Sequence, residues 1–300
     1  MRALVTGGNG FVGRHLRAHL EACGDTVTVF DVPNDITDMD ALGRVFTECQ
    51  PEAIYHLAAL SHVGTSWDDP SAVVRVNVGG TTNVLAVARD VVPAATVLFV
   101  SSADVYGPLD PSQMPINEAT EPHPASPYAA SKLAGEIFAE QAARGFNQRV
   151  IIVRPFNHVG PGQSPAFFLP GITARMVVAT NEVRTEIPVG NLTSRRDFTD
   201  VRDVVRAYRL LIEHGVSGER YVVASGHDKA MIDIANELRT LVNPELSFVE
   251  DPALLRPVDV PVLRGDSSRL RAVTGWAPEV PWSETLAAIV ADATNVSTSA

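Results

Sequence analysis

Ala3-Leu4-Val5-Thr6-Gly7-Gly8-Asn9-Gly10-Phe11-Val12-Gly13 runs from a short apolar stretch through a glycine-rich turn into an amphipathic segment, Val12 to Cys23. Strand, glycine turn and helix in immediate succession form the unit that holds a dinucleotide pyrophosphate at a helix N-terminus. Gly7 permits the tight turn, Gly10 lets the backbone approach a pyrophosphate, and Gly13 lets the helix pack on the strand. The spacing is GxxGxxG rather than GxGxxG. A glycine turn can also be purely structural, so the acid that follows carries weight. Asp31 ends the second apolar run, Thr26 to Phe30, 18 residues beyond Gly13. A carboxylate there accepts from both adenosine ribose hydroxyls and repels a 2′-phosphate, which favours NAD(H) and leaves NADP(H) open. The competing role for Asp31 is a helix or turn cap. Asp35 and Ile36, one loop further, are placed to flank the adenine. Leu57, Ala58 and Ala59 follow the third apolar run with side chains that let backbone pass close to a cofactor.

Outward from this unit the rhythm repeats. Ala53 to His56, Val97 to Val100 and Val150 to Val153 are further short apolar runs, and Met39 to Cys49, Ala72 to Asp90 and Ser126 to Arg144 have apolar residues at helical spacing. Runs apolar on both faces imply parallel strands covered on both sides, so the fold class is α/β, a Rossmann-type doubly wound parallel sheet. After Arg154 the texture changes to PFNHVGPGQSP, which suggests a smaller α+β lobe for substrate. The expected division is a NAD-binding domain over 1–161, with 197–225 returning to it through strand-like Arg220 to Ala224. The second lobe takes 162–196 and 226–292, and 293–300 is a frayed tail. Leu254 to Trp282, with its prolines, reads as an extended surface crossing.

The 300 residues carry 24 basic and 35 acidic side chains, a net charge of −11, with no basic block. Long-range attraction to nucleic acid or to an anionic membrane therefore has no source. Cys23 and Cys49 lack metal-ligand spacing, and no grouping of the eight histidines resembles a metal site. The start, MRALVTG, has neither the basic region nor the apolar core of a signal peptide, and no stretch is long enough to span a bilayer. A cytoplasmic location is expected.

Tyr128 and Lys132 lie four residues apart on the expected helix Ser126 to Arg144, hence on one face. An ammonium beside a phenol lowers the phenol's pKa and readies it for proton exchange. Ser101-Ser102 ends the fourth strand, at the sheet edge where ligands bind in such folds. A serine hydroxyl, a phenol and an ammonium around one carbonyl polarise it for hydride transfer.

GGNGFVG, HLAA, SSADVYG and YAASK, in this order, resemble the extended short-chain dehydrogenase/reductases, the NAD-dependent epimerase/dehydratase family acting on nucleotide sugars, over roughly residues 1 to 290. The resemblance implies Tyr128 as proton donor or acceptor, Lys132 on the nicotinamide ribose, and Ser102 on the substrate oxygen. Asn77 matches an asparagine that orders this active site and is grouped with the cofactor residues, as are Ser101, Pro155, Asn157 and His158. His158 reads as structural or nicotinamide-contacting rather than catalytic, and His62 as a substrate-edge residue.

Arg154 to Gln163, Gly190 to Asp200, and Leu255 to Asp266 with Thr274-Gly275-Trp276 are similar to the branch that makes GDP-6-deoxyhexoses, its 4,6-dehydratases and its 4-ketone reductases. The resemblance implies a GDP-linked substrate, with Arg196 on the diphosphate, Arg256 and Asp259 at the guanosine end, and Asn157 on the diphosphate or sugar. The dehydratases carry a glutamate two residues after the catalytic Ser/Thr. Here Asp104, also a candidate substrate contact, is one methylene shorter. That difference, together with Asp31 and the compact chain, implies the reductase, which turns GDP-4-dehydro-6-deoxy-D-mannose into GDP-D-rhamnose or, with the opposite facial choice, into its C4 epimer. A dehydratase, a nucleotide-sugar 4-epimerase and a catalytically idle NAD sensor remain alternatives. Helices Ala72 to Asp90 and Ser126 to Arg144 imply, by the same resemblance, a homodimer through a four-helix bundle.

Overall fold

In the computed structural model, which describes residues 1–254 and 260–298, β1 (Arg2–Thr6) leads into α1 (Phe11–Ala22), followed by β2 (Thr26–Phe30), α2 (Met39–Cys49) and β3 (Ala53–His56). Then come α3 (Pro70–Val73), a π-helical segment (Val74–Gly80), α4 (Thr81–Val91), β4 (Thr96–Val100), α5 (Pro127–Phe146) and β5 (Val150–Pro155). The expected helix from Ala72 to Asp90 is thus a composite with a π-helical centre. Such segments recur at functional sites because they redirect side chains within a helix.

β1 to β5 and β9 (Arg220–Val223) form one parallel sheet in the order β2-β1-β3-β4-β5-β9. The consecutive residues Leu4 and Val5 are both fully buried, yet they join different cores. Val5 packs with Leu16 and Leu20 of α1 and with α7 (Val201–His214), whereas Leu4 packs with Leu42 and Phe46 of α2 and Val84 of α4. Apolar cover on both faces is the reason that the strands read as continuous apolar runs. Burial stabilises by roughly 1.5–3 kcal/mol per such side chain.

The remaining elements build the second lobe and its attachments. β6 (Asn157–Val159) pairs with β8 (Arg195–Asp200), which also pairs with β10 (Asp228–Ala230) and β12 (Val262–Leu263). α6 (Phe168–Asn181), α8 (Met231–Val242) and α10 (Trp282–Thr298) enclose a core with the strands β7 (Glu186–Val189) and β11 (Ser247–Glu250). Within it Ile172, Met176, Ile234, Leu238 and Leu286 meet.

Two expectations need amendment. Within the stretch expected from Leu254 to Trp282, the described part 260–282 contains α9 (Ser268–Thr274) and is anchored rather than laid over the surface: Leu270 and Trp276 enter the main core, and Trp276 Nε1 donates to the Asp203 carbonyl at 2.9 Å. The frayed tail expected from 293 is helical through Thr298 in α10. No helix among the described residues is long and apolar enough to cross a membrane.

Candidate active site

A cleft of about 2100 Å³ lies at the carboxyl ends of the parallel strands and extends to the second lobe. The strand order reverses between β1 and β3, the position where open α/β sheets bind ligands. Gly7 has φ +73°, and a Cβ there would stand 2.8 Å from the Ala58 backbone nitrogen. A Cβ on Gly13 would stand 2.2 Å from the Gly7 carbonyl oxygen. Both positions therefore require glycine. No side chain caps α1 at Gly10, so its first amides remain available to a phosphate.

Asp31 lines the cleft with its carboxylate oriented by the backbone: one oxygen accepts from Asn9 N and the other from Val32 N, each at 2.7 Å. Each oxygen retains a lone pair for a ribose hydroxyl. Gly10, Phe11 and Val12 line the cleft beside it, as do Asp35 and Ile36. Leu57, Ala58 and Ala59 form the next strip of wall, and Pro155, Asn157 and His158 the opposite one. This cradle, empty of side-chain atoms at Gly7 and Gly13 and with an acid held at its far end, fits a nicotinamide dinucleotide.

Asn77 departs from its expected place among the cofactor contacts. It is buried outside the cleft lining, where its amide accepts from Leu60 N at 2.8 Å and donates to Leu60 O at 3.1 Å and Ser131 Oγ at 2.9 Å. Ser131 Oγ in turn donates to the Tyr128 carbonyl at 2.7 Å. Its amide is consumed in tying the loop after β3 to α5, so Asn77 positions the site. A parallel chain was not apparent in the sequence: the buried His56 bonds Thr6 Oγ1 at 2.8 Å and Thr81 Oγ1 at 2.9 Å. Burial holds that imidazole neutral, with its pKa lowered to about 3.

His158 stacks on Phe11 at 6.2 Å, and its Nδ1 bonds the Phe156 carbonyl at 3.0 Å. A carbonyl only accepts, so Nδ1 carries the hydrogen. Burial lowers the pKa of His158, which makes it a neutral wall. His62 caps its own turn through Thr65 N at 3.1 Å and meets Phe167 edge-on at 6.3 Å.

Ser126 caps α5 by accepting from Ala129 N at 3.1 Å, and Pro127 follows it, which puts Tyr128 in the first turn. Ser102 lies at the end of β4 and caps the 3₁₀ turn Ala103–Tyr106, accepting from Asp104 N at 3.1 Å. Ser102, Tyr128, Lys132 and Asp104 all line the cleft. The Ser102 hydroxyl is near enough to the Tyr128 phenol to act on its pKa. Lys132 Nζ donates to the Val100 carbonyl at 2.8 Å and stands 5.4 Å from the Phe99 ring centroid.

The electrostatics correct one expectation. Burial, and then the Asp104 carboxylate, push the Tyr128 phenol above its ordinary range, and the Ser102 hydroxyl only partly opposes them. Tyr128 is thereby kept protonated, not poised to ionise. Lys132 is lowered to about 8 by burial, partly offset by Glu136 one turn further along α5.

Glu136 anchors the floor of the site. Arg154 grips it with both nitrogens, Nε to Oε1 at 2.9 Å and Nη2 to Oε2 at 2.6 Å, and all the groups are buried. The Ser101 hydroxyl donates to the same carboxylate, so Ser101 faces the cleft while its side chain is bound behind it. The Arg154 guanidinium also lies 4.8 Å from the centre of the Tyr106 ring. One ion pair thus ties together β4, β5, α5 and the turn carrying Asp104.

At the second lobe, Arg196 lines the cleft and donates from Nη1 to the Val260 carbonyl at 2.5 Å. Asn157 Nδ2 donates to the Asp197 carbonyl at 3.4 Å. Arg256 and Asp259 lie outside the described residues. Arg175 of α6, not singled out from the sequence, also lines the cleft.

A family model described as GDP-mannose 4,6 dehydratase matches residues 31–289. The chain belongs to the GDP-mannose 4,6-dehydratase family of extended short-chain dehydrogenase/reductases. Within this family of nucleotide-sugar enzymes, GDP-6-deoxy-D-mannose reductase of Pseudomonas aeruginosa is 38% identical over 296 residues, covering 97% of this chain and 96% of that one. GDP-6-deoxy-D-talose 4-dehydrogenase of Aggregatibacter actinomycetemcomitans is 31% identical over 284 residues, 92% of each chain. The structure of RMD from Pseudomonas aeruginosa complexed with NADPH matches with a TM-score of 0.91 at 35% identity, covering 99% of this chain and 100% of that one.

Proposed function

We propose that this chain is an NAD(P)H-dependent reductase that converts the C4 ketone of GDP-4-dehydro-6-deoxy-D-mannose into the alcohol of GDP-D-rhamnose. The observation that carries the reading is a buried, protonated phenol, Tyr128, beside Ser102 in a cleft that has a dinucleotide cradle at one end and arginines at the other. The relative named GDP-6-deoxy-D-mannose reductase supports both the GDP and the reduction.

A bound nicotinamide cofactor supplies the hydride. Ser102 donates to the substrate O4 and fixes it, and Tyr128 transfers its phenolic proton to that oxygen as negative charge develops there. A phenol held protonated by burial is suited to this direction, because ketone reduction consumes one proton. Lys132 contributes a cation beneath the site, and the walls formed by Leu57, Ala58 and Pro155 keep water from the reacting face. Asn157 and Arg196 are assigned to the diphosphate and sugar, and Arg256 and Asp259 to the guanosine end. Dehydratase chemistry is favoured by one observation: the Asp104 carboxylate is near enough to act on Tyr128.

The test follows cofactor absorbance with GDP-4-dehydro-6-deoxy-D-mannose made in place from GDP-mannose by a separate dehydratase. Oxidation of NADH or NADPH only in the coupled reaction is expected. Conversion of GDP-mannose alone would instead make this chain the dehydratase, acting through Asp104. The product's C4 configuration, read by NMR, separates GDP-D-rhamnose from the talose epimer that the Aggregatibacter relative's name describes.

Asp31 favours NADH, although the related structure holds NADPH. Asp31→Ala is expected to weaken NADH binding about tenfold, the value of one charge-assisted hydrogen bond, while NADPH binding holds or improves. Equal losses for both cofactors, measured by titration, would remove Asp31 from the ribose. The reading further includes a cytoplasmic enzyme and the domain division at 1–161 with 197–225 against 162–196 with 226–292. It also includes a homodimer, for which the exposed apolar side chains Val74, Ile137 and Phe138 on the π segment and α5 supply a face. Light scattering is expected to give a two-chain mass, and a one-chain mass at micromolar concentration would overturn the dimer.

A further inference from the structure

Arg175 differs from most of the half-buried arginines among the described residues; Arg239 also lacks a carboxylate, but its Nη1 donates to the Leu246 carbonyl and its guanidinium lies over the Phe248 ring. Arg202 pairs with Asp200 and Glu284, Arg206 with Asp203, Arg209 with Asp25 and Glu213, and Arg220 with Glu140. Arg175 has no carboxylate and no hydrogen-bond acceptor among the described residues, and its Nε is fully buried without a partner. A guanidinium does not give up its proton at accessible pH, so this charge cannot be relieved by titration. A half-desolvated, uncompensated cation lowers the stability of the empty protein.

Its surroundings indicate what compensates it. Phe168, Gly171, Ala174 and Arg175, at helical spacing, present one face of α6 to the cleft. The acids lining the cleft among the described residues are Asp31, Asp35 and Asp104, all on the turns of the main sheet. Among the described second-lobe residues that line the cleft, Gly190, Asn191 and Ser194 are neutral, and the cation besides Arg175 is Arg196 on β8. The charge therefore runs from acidic at the ribose end to basic at the second lobe.

We propose that Arg175 is a binding residue for the diphosphate of the nucleotide sugar, gripping its oxygens from α6 opposite the grip from β8. The proposal rests on the nucleotide-sugar reading of the cleft. The ligand class is a nucleoside diphosphate, whose two or three negative charges repay the desolvated guanidinium with bidentate hydrogen bonds. Arg196 spends part of its donor set on the Val260 carbonyl. Arg175 has no such competing acceptor among the described residues.

Arg175→Met and Arg175→Lys test this by calorimetric titration with GDP and, separately, with inorganic pyrophosphate. Arg175→Met is expected to weaken both ligands 10- to 100-fold, to raise KM for the nucleotide sugar by a similar factor, and to leave kcat within about threefold and NADH affinity unchanged. Arg175→Lys is expected to recover part of the affinity. The melting temperature of the unliganded Arg175→Met protein should equal or exceed that of the native chain, a result that a structural arginine would not give. GDP and pyrophosphate affinities within twofold of native in both variants overturn the proposal, as does a lowered melting temperature with affinity intact. If the native chain binds pyrophosphate through Arg175 but not GDP, the anion site stands and the nucleotide reading falls. If it binds neither, both fall.

Discussion

Tyr128→Phe is expected to reduce turnover by about 10²- to 10⁴-fold, the usual contribution of a positioned general acid, with little change in unfolding midpoint or in cofactor affinity. The phenol lines the cleft beside Ser102 and is held protonated by its surroundings. Phenylalanine keeps the ring and its packing, so the loss isolates the proton. The pH profile carries a second signature. Lys132 is lowered to about 8, so it is charged below that pH and neutral above it. Tyr128 is shifted the other way and stays protonated throughout this range. The reduction should therefore be flat at neutral pH and fall by up to tenfold per unit above about 8, as the ammonium is lost. Turnover of Tyr128→Phe within tenfold of native would remove the phenol from the chemistry. A profile that rises through pH 8 would mean that neutral Lys132 is the active form.

The parts of the site legible in the sequence are those dictated by neighbours along the chain. Gly7, Gly10 and Gly13 are needed by one turn and one close approach, so strand, turn and helix declare themselves within eleven residues. Tyr128 and Lys132 are legible because four residues along a helix fix which face they share. The rest depends on contacts that spacing does not encode. The sequence places Lys132 beside Tyr128 and implies a lowered phenol pKa. The fold brings Asp104 in from a different turn and buries the ring, and those two effects reverse the sign. Asn77 reads as a cofactor ligand until its amide is found fully occupied by Leu60 and Ser131. Arg175 had no local signal at all, since one arginine on an amphipathic helix is ordinary. Its meaning lies in the absence of a counter-charge around it among the described residues. Trp276 likewise looked like part of a surface crossing, because the partner that draws it inward, the Asp203 carbonyl, is 73 residues away.

The strongest such remote dependence is at Glu136, where Glu136→Gln is expected to cost about 3–5 kcal/mol of stability, although it changes a single atom type. The amide keeps the volume but removes the charge that compensates Arg154, and it leaves a buried guanidinium beside Arg220 and Lys132 with no anion between them. Equilibrium unfolding in urea reads this directly. The double variant Glu136→Gln with Arg154→Met should recover most of the loss, because removing both charges removes the uncompensated one as well. Activity separates the electrostatic role from mere folding. At temperatures where the single variant is fully folded, the alkaline limb of the pH profile should move below pH 8, since Lys132 loses the carboxylate that supports its charge. In addition Ser101 loses an ionic acceptor, which loosens the strand end that carries Ser102 and lowers kcat more than it raises KM. A Glu136→Gln protein within 1 kcal/mol of native stability, with its pH limb unmoved, would mean that Arg154 finds compensation elsewhere. The ion pair would then not be what holds the catalytic groups in register.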